Sequence, residues 1–158
     1  MNMIQAQNPF FEKYSTPHGT IPFDKIKTEH YEPAIREGIS RHDAEIDAII
    51  NNTEAPTFAN TVAAYEKSGQ LLSQVSTVLG NLLSAETNDD MQELAKTMMP
   101  LLSEHSNNIT LNEKLFARIK AVYDQKAQAN LTPEQNKLLE EVYNSFVRSG
   151  ANLEGEAK

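Results

Sequence analysis

Apolar residues recur along most of this chain at intervals of three and four, the spacing that lines up one face of a helix. In the proline-free stretch from Thr57 to Glu86, one apolar line runs Phe58, Val62, Tyr65, Gly69, Leu72, Leu79, Leu83 and a second runs Leu71, Val75, Val78, Leu82. Two adjacent lines make a stripe too wide for one neighbour to cover, so the pattern predicts a single central rod in an all-helical domain. Gly69 lies on the first line, where glycine costs about 1 kcal/mol against alanine; a close helix crossing or a bend is expected there, rather than a functional hinge.

Four more helices are expected around the rod. Thr28 is read as the cap of the first, with Glu29 and Glu32 in its opening turn and regular helix from Pro33 to near Asn51. Its inward face is Tyr31, Ile35, Ile39, His42, Ile46 and Ile49. Thr57 caps the rod. Thr87 and Asp90 stand in a capping-box-like relation that opens the next helix, whose period continues through Met91, Leu94, Met98, Leu101, Leu102, His105 and Ile109. Pro100 predicts a kink or break just before it, because proline costs about 3 kcal/mol in a helix interior. Asn112 caps a fourth helix, with Leu115, Phe116, Ile119, Val122 and Tyr123 inward. Thr132, Pro133 and Gln135 supply cap, first-position proline and third-position acceptor for a fifth, which Arg148 and Gly150 end. Asn152, followed by Glu154 and Glu156, reads as the start of a further helix cut short at Lys158, the alternative being a frayed tail. Residues 1–27 read as an extended N-terminal arm: Asn8 to Lys27 holds three prolines and no period, yet Phe10, Phe11, Ile21, Phe23 and Ile26 are too many for a solvated tail.

Composition narrows the function classes. A chain of 158 residues is long enough for one real core, and its net charge of −8 without a basic run speaks against nucleic acid. No cysteine is present, which excludes disulfides and thiolate metal sites. No membrane partner is expected, since no run of about eighteen apolar residues occurs. Met1 to Gln7 lacks a basic start and an apolar core, so it is not an intact signal peptide; the cytoplasm is the expected location, with the periplasm as the alternative if a signal was removed upstream.

Candidate chemistry is thin. A zinc-peptidase helix needs two histidines four residues apart, with a glutamate beside the first, and the four histidines here are followed by Gly19, Tyr31, Asp43 and Ser106 without a partner at that spacing. His42 and His105 both lie on apolar faces and, with a carboxylate, are the one conceivable metal pair. The commoner role of such a histidine is a hydrogen-bonded core residue. Glu140 with Glu141 and Asp89 with Asp90 are explained by solvation and the helix dipole. Met91, Met98 and Met99 read as core filling beside Pro100. No catalytic, cofactor-binding or metal-ligating residue is therefore assigned.

The order of certain words along the chain adds to this. Asn8-Pro9-Phe10, Pro22-Phe23-Asp24-Lys25-Ile26, His30-Tyr31-Glu32-Pro33-Ala34, Pro56-Thr57-Phe58-Ala59-Asn60-Thr61, Glu66-Lys67-Ser68-Gly69, Thr87-Asn88-Asp89-Asp90 and Phe146-Val147-Arg148-Ser149-Gly150-Ala151 follow one another. Together they resemble the N-terminal region of the peptidyl-dipeptidase (dipeptidyl carboxypeptidase) branch of the thimet oligopeptidase and oligopeptidase A family. The resemblance implies a zinc metallopeptidase of several hundred residues, almost wholly helical, that removes C-terminal dipeptides. In that family the HExxH helix and the third zinc ligand lie downstream of the matched region, so zinc would belong to the parent protein and none to residues 28–158, the helical N-terminal domain. The partners implied are the chain's own downstream catalytic domain and short peptide substrates, whose channel these helices would help to wall. The alternative is a free-standing helical interaction module without catalytic activity. A severed piece should expose apolar surface where its body docked; a module need not.

Overall fold

Local chemistry at the helix ends decides most of the architecture. A computed structural model describes residues 8–85 and 87–152. The opening Met1–Gln7, the expected end of the rod at Glu86 and the helix expected beyond Asn152 lie outside them. The fold is all-α, with helices α1 (Tyr31–Ile50), α2 (Ala63–Glu66), α3 (Gln70–Ala85), α4 (Asp89–Thr110), α5 (Glu113–Asp124) and α6 (Pro133–Arg148), and no strand among the described residues. No helix is long and apolar enough to cross a membrane among these residues.

Three caps stand where the side-chain chemistry demands. Thr57, Asn112 and Thr132 accept from the backbone N–H three residues on, and Asn60 and Gln135 return the bond to the cap backbone. At the end of α6 the Gly150 N–H donates to Val147 and the Ala151 N–H to Phe146, with Gly150 at φ +90°, so two orphan carbonyls are satisfied by a left-handed glycine.

Several expectations need correction. The stretch from Thr57 is not one rod. It opens as a π-helical turn over Phe58–Val62, continues as α2, and stops at Lys67 to Gly69, where Gly69 takes φ +68° before α3 begins. The apolar period stays in phase across that stop, which hid it. Thr28 makes no cap: α1 is entered through a 3-10 turn, Thr28–His30, in which the His30 ring accepts from the Lys27 N–H at 3.0 Å. The acceptor that opens α4 is Asn88, not Thr87; its side chain takes the Met91 N–H at 2.9 Å. Pro100 breaks nothing, and α4 runs through it. Pro100 and Lys96 are both exposed, so water can reach the turn whose N–H the proline lacks. Met91 and Met98 are core, but Met99 is 42% exposed.

The chain divides into two compact units. Among the described residues the first comprises 8–42, 69–85 and 87–102 and the second 43–68 and 103–152, with boundaries inside α1, between Ser68 and Gly69, and inside α4. In the first, Phe10, Tyr31, Ile35, Leu72, Val75, Leu79, Met91 and Met98 form the core. The arm is part of it: Asn8, itself buried, donates to the His30 carbonyl at 2.8 Å, and the Phe10 ring meets Tyr31 edge-on at 5.2 Å. Here α1 and α3 approach so closely that a Cβ on Gly38 would sit 2.9 Å from the Leu72 Cα. The bend given as one alternative at Gly69 is therefore present as a stop in the helix, and a second close approach lies at Gly38. In the second unit Ile46, Ile49, Val62, Leu115, Phe116, Ile119, Leu139, Val142 and Phe146 make the core.

Candidate functional site

In the second unit a polar arrangement is built on the link from α1 to the π-helical turn. Such a link carries backbone carbonyls with no partner of its own. Arg118, projecting from α5, supplies them: Nη1 donates to the Asn52 carbonyl at 2.8 Å, and Nη2 to the Glu54 carbonyl at 3.3 Å and to Asn60 Oδ1 at 3.5 Å. The Asn60 amide nitrogen donates to the Ala55 carbonyl at 3.0 Å, while its oxygen accepts from the Thr57 N–H and the Thr61 hydroxyl. The Arg118 Nε is buried without a hydrogen-bond partner. A guanidinium occupied by main-chain carbonyls fixes a loop; it is not placed to stabilise a reacting group. Replacing Arg118 by Met should destabilise the protein by about 2 kcal/mol, because the carbonyls lose charge-assisted donors, a loss that a urea titration of the variant would measure.

Two grooves flank this arrangement. One of about 430 Å³ is lined by Glu45, Ala48, Asn52, Asn60, Ala64 and Lys67. The other, about 420 Å³, runs past Pro56, Phe58, Val122, Gln125, Leu131 and Gln135 and has no ionisable side chain in its wall. In the first unit a groove of about 600 Å³ lies along Leu83, Thr87, Ala95, Lys96, Met99 and Pro100. Ser68 also lines the first of these three grooves, and its hydroxyl donates to the Tyr65 carbonyl at 2.6 Å.

The histidines singled out from the sequence have structural surroundings. His105 is buried and its Nδ1 stands 3.4 Å from the Asp43 carboxylate. His42 packs on Gly69, where a Cβ would come within 2.9 Å of the imidazole. No group of three or more His, Asp or Glu side chains that could hold a metal occurs among the described residues. The acidic pairs are accounted for as well. Glu140 binds Lys126 at 2.9 Å, Glu141 pairs with Lys137 at 3.2 Å, and Asp89 and Asp90 are exposed in the first turn of α4.

Lys126 also lies 4.3 Å from the Tyr123 ring centroid, and Tyr123 stacks on Tyr143 at 3.9 Å. Its hydrogen bond holds the Glu140 carboxyl below its ordinary value, and the Lys126 ammonium is pushed up by the same bond. A carboxyl whose folded value is depressed adds stability above its unfolded value and loses it as the pH falls through the folded one. Glu140→Gln should therefore abolish a small stability difference that the native chain shows near neutral pH and loses in acid, as melting curves across that range would reveal.

These features define an all-helical protein in which the polar side chains described above hold loops and helix ends. Comparison with known proteins then specifies its kin. Dipeptidyl carboxypeptidase of Salmonella typhimurium is 40% identical over 153 residues, 97% of this chain and 22% of that protein. Dipeptidyl carboxypeptidase of Escherichia coli is 40% identical over 150 residues, 95% of this chain and 22% of its own. Oligopeptidase A of Salmonella typhimurium is 24% identical over 146 residues, 92% of this chain and 21% of its own. No protein-family model matches. The resemblance read from the sequence words is borne out: the chain is homologous to part of these peptidases and spans about a fifth of the length of the curated relatives it matches.

The words that carry the resemblance are now seen as joints of the fold. They hold the Asn8 anchor and the start of α1, the Thr57 and Asn60 cap, the Gly69 stop and the Gly150 turn. Sequence reasoning missed Arg118 and Gly38. Arg118 acts on residues 58 to 66 positions away, so no local pattern marks it. A glycine inside the helical period of α1 was the available signal for the close crossing.

Proposed function

We propose that this chain is the N-terminal helical region of a peptidyl-dipeptidase, a cytoplasmic zinc metallopeptidase that releases C-terminal dipeptides from short peptides. Residues 1–27 would be its arm and residues 28–158 its helical domain, forming part of the wall of the substrate channel. The observation that carries this reading is the 40% identity to two dipeptidyl carboxypeptidases across almost all of the chain but only 22% of each of them. The chain's own side chains do not fit a zinc site: no HExxH occurs in the sequence, and its histidines are placed as packing and ion-pair partners. Its share of the reaction is confinement and orientation of the peptide, effects that need rigid walls and no bond-making group. Zinc, held by residues elsewhere in the parent, would supply the polarisation of the scissile carbonyl.

The experiment that tests this is sequencing of the reading frame past Lys158, followed by assay of its full product. A frame that continues into an HExxH segment, with a product releasing dipeptides and inhibited by a chelator, is expected. A frame without that motif, or a product that leaves peptides intact, would overturn the proposal.

A further inference from the structure

The aromatic side chains of α5 and α6 form a ladder whose last two rungs are phenols. Phe146, which is buried, stacks on Phe116 at 6.2 Å, Phe116 on Tyr143 at 5.8 Å, and Tyr143 on Tyr123 at 3.9 Å with the ring planes 10° apart. Aromatic centroids commonly stand about 4.5–7 Å apart, so the two phenols are closer than is usual. The Lys126 ammonium lies 4.3 Å from the Tyr123 centroid and is held there by Glu140 at 2.9 Å. With Tyr143 against one face of Tyr123, that cation covers the other face. The phenol pair is thus closed by an ammonium at one end and by Phe116 at the other, and both tyrosines are half-buried. Other tyrosines have different neighbours: Tyr31 meets Phe10 and Tyr65 meets Phe146, each edge-on, and the Tyr14 hydroxyl accepts from the Gln74 amide.

We propose that Tyr123 and Tyr143 are an oxidative modification site, at which a one-electron oxidant joins the two rings through their ortho carbons into a dityrosine that ties α5 to α6. Each phenol gives one electron to the oxidant and its hydroxyl proton to water. The two phenoxyl radicals pair in one new carbon–carbon bond. Each bonded carbon then loses its hydrogen as a proton while the ring oxygen takes a proton back, which restores both aromatic rings. Two electrons and two protons leave in all, and two equivalents of oxidant are each reduced by one electron. The bond forms between facing π surfaces, which a near-parallel stack presents and an edge-on pair does not. Coupling of free radicals is bimolecular, and holding both partners in contact makes it unimolecular, which favours this pair over coupling between molecules. The phenylalanine against Tyr31 or Tyr65 cannot supply a second phenoxyl. An electron can leave a half-buried ring, so the oxidant need not enter the stack.

The test exposes the 158-residue chain to photogenerated tris(bipyridine)ruthenium(III), with persulfate as the terminal electron acceptor, and reads dityrosine by its fluorescence and by mass spectrometry of the digested chain. The expected product is a monomer lighter by two hydrogens, with Tyr123 and Tyr143 in one cross-linked peptide and a yield per chain that dilution leaves unchanged. Tyr123→Phe and Tyr143→Phe each keep a ring in the stack and should lower that yield about tenfold, whereas Tyr14→Phe should not alter it. The native chain unfolded in urea should give severalfold less of the same product, a comparison that needs no substitution. A folded native chain that forms no dityrosine overturns the proposal. So does a cross-link that survives Tyr123→Phe or Tyr143→Phe, and so does dityrosine confined to covalent dimers whose yield falls with dilution. Equal yields from folded and unfolded chain would overturn it as well, since the stack would then play no part.

Discussion

Phe146→Ala is expected to destabilise the protein by about 3–5 kcal/mol, the range for emptying a buried phenylalanine site. Phe146 is 1% exposed and holds three elements together: it meets the Tyr65 ring of α2 edge-on at 5.4 Å and stacks against Phe116 of α5 at 6.2 Å. Its carbonyl also accepts the Ala151 N–H that closes α6. Truncation leaves those rings facing a void that α6 cannot close without giving up its contacts with Leu115, Ile119 and the other core residues of the unit. A melting midpoint lower by on the order of 10 °C should result. Phe146→Leu, which keeps most of the volume, should lose much less. Equal losses in the two variants would mean that ring packing is not what fixes α6.

The second large effect is expected at Gly69. Its φ of +68° lies in the left-handed region, and a Cβ there would come within 2.9 Å of the His42 ring. Backbone strain and crowding together predict about 2–3 kcal/mol for Gly69→Ala. The two causes can be separated. Adding His42→Ala removes the crowding but leaves the strain, so the Gly69 substitution should cost less in the His42→Ala background than in the native one. Denaturant titration of the four proteins in that cycle measures the coupling. A continuous helix from Thr57 onward would instead gain about 1 kcal/mol from alanine, so the sign of the single-variant effect alone distinguishes a broken element from a rod.

Gly69 also shows where sequence was sufficient and where it was not. The type of every long helix was legible because each buries a face at helical spacing: Ile35, Ile46 and Ile49 in α1, Leu139, Val142 and Phe146 in α6. Caps at Thr57, Asn112 and Thr132 were legible because a side chain three residues from an orphan N–H is local information. The break between α2 and α3 was not, since Val62 and Tyr65 belong to the core of the second unit while Leu72 and Val75 belong to that of the first. Two cores fed by one continuous stripe read as one rod. Pro100 was weighed by its cost in a helix interior, and its exposed position reduces what that cost demands. Met99 was read as core filling beside Pro100, although the helical period through Met98 leaves it off the inward face, where the structure has it exposed.

At the candidate site, the absence of a zinc motif was legible in the spacing of four histidines, and the kinship with dipeptidyl carboxypeptidases in a series of short words. What those words do was not legible. They sit at Asn8, His30, Asn60, Gly69 and Gly150, where side chains and left-handed glycines close the joints of the fold. The function proposed above gives such joints the task of holding shape and leaves bond-making to the rest of the parent protein.

The most direct test of that division of labour is a dipeptide-release assay on the purified 158-residue chain with added zinc, run beside a measurement of its bound metal. No release and no stoichiometric zinc are predicted. Release that scales with the concentration of this chain and disappears on chelation would contradict it.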